Sequence, residues 1–369
     1  MDLFDNLIKI KEYDLKGQLP DIFTFEDKRK LESKELWEER RKEIYRNAVE
    51  LQYGTPPPEP EFVNVEPLNG HDKFMFFRVT TGKQNTTVSF LMMIVKPDGE
   101  GPFPTVIDGD FSFPYIYDKE FIGAFTENGI MPVFFNRIEI ASDRDHERKS
   151  PIYRVYPDGN FGAIAAWAWG YSRCVDALET INFADKECIV FTGHSRGGKT
   201  ALLAGALDER AVIVNPNESG CGGSGCYRLN IKAVTEDNKE ETNETLKVMM
   251  NAFPHWLNPE MAKYIDKEEE LPFDQHMLKA LVAPRILFSS DAASDIWANP
   301  VGTWITNREA RKLYEFLGVP QNMYWYFRKG YHAHKVQDIN MLVNLIKHYK
   351  YNGELSPDFF KLPFKLKNI

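Results

Sequence analysis

Gly193-His194-Ser195-Arg196-Gly197 stands between the apolar run Cys188-Ile189-Val190-Phe191 and a helix-like stretch, Lys199 to Leu207. The arrangement predicts a strand, a sharp turn and a helix, with the serine at the turn. A serine hydroxyl is a poor nucleophile unless it is held exposed and beside a base, and such a turn holds it so. Glycines flank the serine because side chains there would collide with neighbouring backbone. The helix that follows adds its positive N-terminal end where an oxyanion would form.

The rest of the chain supplies the sheet that such a turn needs. Strand-like runs at Phe74–Thr80, Thr87–Val95, Phe103–Ile107, Pro132–Phe135, Cys188–Thr192, Ala211–Asn215, Arg285–Ser289 and Met323–Arg328 are interleaved with helical ones. The helical stretches are Lys119–Glu127, Phe161–Ile181 and Ile339–Tyr349. Alternation at this pitch predicts a mostly parallel sheet with helices on both faces, a three-layer α/β sandwich of the α/β-hydrolase kind. Ligands then bind at the carboxyl ends of the strands. Residues 1–60, with apolar positions at helical spacing through Glu35–Leu51, read as an N-terminal helical arm on a catalytic domain spanning 61–369. Residues 230–270 are charged and without clear strands, and read as an insertion or lid over that edge.

With 369 residues, 43% of them apolar, the chain has ample material for a large core. A net charge of -9 and the lack of basic runs argue against nucleic acid or an anionic membrane as partner. No segment is long and apolar enough for a membrane span. The first residues, Met1 to Asn6, lack the pattern of a secretion signal, so a cytoplasmic location is expected unless a leader has been removed. Four cysteines make no disulfide framework; Cys221 and Cys226 share a Gly-rich loop where a bridge is sterically conceivable.

In this fold the serine's partners follow it in the order acid, then histidine. His332, in Gly330-Tyr331-His332-Ala333-His334, comes after the last strand and before the closing helix; His334 is its rival. His194 is expected to face away from the serine and to pack. The remaining histidines show no metal-ligand spacing. Two carboxylates are well placed as the acid: Asp295, in the loop after Arg285–Ser289, and Glu218, in the loop after Ala211–Asn215. Asp291 is a lesser candidate. Arg196 puts a fixed positive charge beside the developing oxyanion, Lys199 lies one helical turn beyond the serine where it can reach sugar hydroxyls, and Trp297 offers a flat platform for a pyranose ring.

These residues resemble a known family. Gly193-His194-Ser195-Arg196-Gly197-Gly198-Lys199 is similar to the G-C-S-R-x-G-K elbow of the glucuronoyl esterases, carbohydrate esterase family 15, and Asn217-Glu218-Ser219-Gly220-Cys221-Gly222-Gly223 to that family's E-S-G-x-G-G loop. Asp295-Ile296-Trp297-Ala298-Asn299-Pro300 resembles a D-x-W-A-D-P segment. Phe253-Pro254-His255-Trp256, Leu271 to Leu278 and Ala280 to Arg285 look like the bacterial branch, and Phe135 to Ala141 with Ala165 to Gly170 extend the likeness upstream.

The resemblance implies cleavage of the ester between 4-O-methyl-glucuronic acid branches of xylan and an alcohol, on a small carbohydrate substrate, with no metal or organic cofactor. It implies Ser195 as nucleophile, His332 as base, Glu218 or Asp295 as acid, Arg196 at the oxyanion and Lys199 on uronate hydroxyls. Fungal members carry a cysteine before the nucleophile that can bridge to one beside the histidine; His194 and Ala333 occupy those places here. Their sugar-binding glutamate aligns with Ala252. An acetyl esterase acting on sugar oligomers and an inactive carbohydrate-binding homologue are the alternative readings, and the oligomeric state is left open.

Overall fold

The computed structural model describes residues 8–71, 73–235 and 238–362. Residues 1–7, which bear on the expectation about a leader, lie outside that description. Twelve strands follow in chain order: β1 (Ile8–Leu15), β2 (Phe62–Pro67), β3 (Phe74–Lys83), β4 (Thr86–Val95), β5 (Phe103–Asp108), β6 (Met131–Phe135), β7 (Ala184–His194), β8 (Ala211–Asn217), β9 (Leu229–Thr235), β10 (Glu240–Thr242), β11 (Ile286–Ala292) and β12 (Met323–Arg328). Nine of them form one sheet in the order β12-β11-β8-β7-β5-β6-β4-β3-β2. From β12 to β6 every neighbour is parallel, and β4, β3 and β2 continue the sheet antiparallel.

The central strands read as continuous apolar runs because both of their faces are covered. Successive side chains of β7 go to opposite sides: Ile189 and Phe191 join the core under helices Ala163–Leu178 and Arg196–Leu207, whereas Cys188 and Val190 join a second core under helices Lys119–Thr126 and Val336–Tyr351. The result is the three-layer α/β-hydrolase sandwich expected from the sequence. Among the described residues no helix is long and apolar enough to cross a membrane.

Two expectations need correction. The arm is helical only in part: helix Trp37–Tyr45 and the wider turn Arg46–Leu51 bury Trp37, Ile44 and Val49 in the main core, but β1 precedes them as a strand. The 230–270 segment opens with strands too. β9 pairs with both β1 and β10 in a separate three-stranded antiparallel sheet, so the start of the arm is tied to the start of that segment. Charged residues such as Lys11, Lys232 and Glu240 sit on this small sheet and pair there, which removes the apolar run by which a strand is recognised. The Cys221–Cys226 bridge is absent: all four cysteines are buried free thiols.

Candidate active site

β7 ends at His194 and helix Arg196–Leu207 begins at Arg196, so the whole turn falls on Ser195, whose backbone takes φ 57° and ψ -119°. A residue other than glycine in that region is strained and persists only where its surroundings hold it. The turn is held from several sides. The Ser195 N–H donates to Asn217 O at 2.9 Å, and the His194 N–H donates to the buried carboxylate of Asp110 at 3.0 Å. A side chain at Gly193 would meet Gly197 O at 2.5 Å, and one at Gly197 would run into the Asp110 carboxylate, so the two glycines are steric requirements. Arg137 and Tyr115 complete the anchoring of Asp110.

Three loops at the carboxyl end of the parallel strands converge on one imidazole. His332 Nδ1 lies 2.6 Å from Asp295 Oδ2 and 3.3 Å from Glu218 Oε2. Asp295 follows β11, Glu218 follows β8, and His332 follows β12, so the strand order itself brings them together. Glu218 is 1% exposed and also adopts a positive φ, 44°. Its Oε2 accepts the Ala333 N–H at 2.9 Å, and its Oε1 accepts from Arg328.

Arg328 is a hub that sequence reasoning missed. It pairs with Asp338 at 2.9 Å, with Glu218, and with the carbonyls of Tyr331 and Ala333, which fixes the histidine loop from beneath. Its position at the end of a strand, before a glycine-containing loop, was the available signal. Burial works against a charged His332, yet the hydrogen bonds to Asp295 and Glu218 outweigh it and push the imidazole up from 6.5 to about 10. Burial also pushes the Glu218 carboxyl upward, against the pull of His332 and Arg328.

His334 does not share this cluster of carboxylates. It is buried against Tyr115 and Phe121, with ring centroids 5.0 Å away in each case, and burial takes it down to about 3. His194 is placed differently from expectation: it does pack, but its ring lies 4.5 Å from that of His332, toward the site. Asp291 lies within β11 itself rather than on the loop after it, and is buried there, its Oδ1 3.4 Å from Thr303 Oγ1.

Arg196 extends from the first turn of the helix to pair with Asp143. Its guanidinium lies 5.0 Å from the Trp256 ring and 5.4 Å from that of Phe253, which stack on each other 3.9 Å apart. Asp143 accepts the Trp256 indole N–H at 2.7 Å as well. Burial works to raise this carboxyl, and the contacts from His255, Trp256 and the Arg196 charge hold it below the usual range instead.

Lys199 is 3% exposed and donates to Ser219 O at 2.8 Å, Cys221 O at 2.5 Å and Glu244 Oε2 at 2.8 Å. These three acceptors match the three protons of its ammonium group. Glu244 is a second residue that sequence reasoning missed, having looked to position 252, where the chain has alanine. Its backbone N–H donates to Trp297 O at 2.9 Å, so the Lys199–Glu244 pair and the 43% exposed Trp297 are neighbours.

The family model described as "Glucuronyl esterase, fungi" matches residues 79–318. A carbohydrate esterase family 15 glucuronoyl esterase from Caldicellulosiruptor kristjansonii has a similar structure, with a TM-score of 0.87, 30% identity, and 96% of each chain covered. A glucuronoyl esterase mutant from Sporotrichum thermophile, solved in complex with methyl 4-O-methyl-β-D-glucopyranuronate, gives a TM-score of 0.74 at 26% identity, covering 96% of this chain and 92% of that one. Among curated proteins, a 4-O-methyl-glucuronoyl methylesterase from Podospora anserina is 32% identical over 86% of this chain. The chain spans 64% of that relative's length.

Proposed function

This chain belongs to the glucuronoyl esterases, and from that premise we propose that it is a serine carboxylester hydrolase cleaving 4-O-methyl-glucuronoyl esters on xylan-derived oligosaccharides. The observation that supports this best is the imidazole of His332, gripped by Asp295 and Glu218 on the loop after β12, with its ring 4.5 Å from that of His194, the residue directly before Ser195.

In this reading Ser195 Oγ attacks the carbonyl carbon of the uronate ester while His332 takes its proton. Asp295, aided by Glu218, holds the tautomer and stabilises the imidazolium that forms. The tetrahedral oxyanion is received by the backbone N–H of Arg196, at the start of the helix, with the guanidinium of the same residue adding positive charge. Collapse expels the alcohol, protonated by His332, and leaves a glucuronoyl ester on Ser195. Water, deprotonated by the same imidazole, then releases the acid. Trp297 offers its exposed ring to one face of the sugar, and the Lys199–Glu244 pair beside it receives the hydroxyls, one ammonium proton passing from a loop carbonyl to the ligand. Residues 238–270, which carry Glu244, form one wall of the site.

Benzyl glucuronate and 4-nitrophenyl acetate assayed side by side test the substrate assignment. A kcat/KM at least about a hundredfold higher on the uronate, close to 3 kcal/mol of transition-state preference, is expected. Preference for the acetate would make the chain an acetyl esterase.

A further inference from the structure

His332 arrives on a loop, and its side chain remains 36% exposed. Both carboxylates approach one atom of it, Nδ1. A ring gripped at a single edge atom remains free to pivot about that contact, and such a pivot carries Nε2, the atom that must meet the serine, through the widest arc. Something has to stop one face of the ring.

His194 lies in that position, with ring centroids 4.5 Å apart and planes inclined by 39°. It is itself fixed. Its Nδ1 is 2.7 Å from Asn217 Oδ1, and the Asn217 amide donates to Ser290 Oγ at 2.9 Å. Its backbone N–H is held by Asp110. Behind it His334 lies nearly parallel, 5.4 Å away at 15°, and His334 rests against Tyr115 and Phe121. The plate therefore has a backing.

Burial, reinforced by the two neighbouring histidines, takes His194 well below the usual histidine range. An uncharged ring beside His332 adds no repulsion when that imidazole becomes a cation.

Resting on the assignment of Ser195 and His332 above, we propose that His194 is a positioning residue for the catalytic base, a fixed aromatic wall that keeps the His332 ring from pivoting on its carboxylates. The prediction separates the ring of His194 from its hydrogen bond. His194→Ala removes both, His194→Gln keeps a polar group near Asn217 without the plate, and His194→Phe keeps the plate alone.

On benzyl glucuronate, Ala and Gln are expected to lower kcat at least about tenfold, since small misplacements of a catalytic group cost up to about a hundredfold. KM is expected to stay within about twofold, and Phe to restore most of kcat. Wild-type kcat in the Ala variant, a change confined to KM, or a Phe variant no better than Gln would overturn the proposal. Melting temperatures are read alongside; should Ala prove too unstable to assay, the Phe and Gln pair decides by the same criterion. Fluorophosphonate labelling of the wild-type protein keeps the two levels apart. If Ser195 is not labelled, the nucleophile assignment fails; if it is labelled and the variants match wild type, only the role of His194 fails.

Discussion

Asp295 and His332 meet at 2.6 Å, Oδ2 to Nδ1, while Glu218 stands back at 3.3 Å and gives its other oxygen to Arg328. The shorter contact makes Asp295 the main partner of the imidazole and Glu218 its support. Asp295→Asn should therefore lower kcat by up to about ten-thousandfold, the loss that follows when a triad acid gives up its charge. Glu218→Gln should cost less than about tenfold. Steady-state kcat for each variant and for the double variant checks the ranking, and a reversed order would hand the principal role to Glu218.

The same two contacts fix the direction of the pH dependence. His332 is raised from 6.5 to about 10 in the folded protein, and a base must be uncharged to take a proton. The ester substrate has no titrating carboxylate, so kcat/KM should rise with pH along a limb alkaline of the ordinary histidine range. Loss of either carboxylate lowers the folded value, so Asp295→Asn and Glu218→Gln should each move that limb toward acid. For folding the sign is opposite. The raised value stabilises the native state fully below pH 6.5, and that contribution fades as pH climbs toward 10. A kcat/KM limb at ordinary histidine pH, unmoved by either substitution, would show that the carboxylates do not act on this ring.

Lys199 and Glu244 form an ion pair with both side chains only 4% exposed. Removing one partner leaves an uncompensated buried charge, so Glu244→Gln should destabilise the fold by about 3–5 kcal/mol. Replacing both, as Lys199→Met with Glu244→Leu, should be less damaging than either single change. Urea midpoints measure this, and the KM for benzyl glucuronate measured on the same variants should rise if the pair meets the sugar.

Much of the site was legible because it is local. The elbow needs a particular strand, turn and helix in immediate succession, and the loops carrying Glu218, Asp295 and His332 follow parallel strands in an order that the sheet converts into proximity. What escaped was long-range. β1 and β9 come from residues more than two hundred positions apart and form a small sheet in which apolar residues such as Ile10, Leu15, Leu229, Ile231 and Ala233 are interrupted by charged or polar ones, so neither has a continuous apolar run to reveal it. Glu244 and Asp143 read as ordinary charged positions until Lys199 and Arg196 are folded onto them. His194 was expected to face away because neighbouring residues at a turn diverge. The sharp turn at Ser195 and the return of the 329–335 loop instead bring two imidazoles within 4.5 Å of each other.

Ser195 carries the whole scheme, and its removal is the most direct test. Ser195→Ala leaves the fold and the groups proposed to face the sugar in place, and its kcat on methyl 4-O-methyl-glucuronate, set against the wild-type protein, should fall by at least about a thousandfold. Turnover retained at a few per cent or more of the wild-type rate would contradict a glucuronoyl-serine intermediate at this residue.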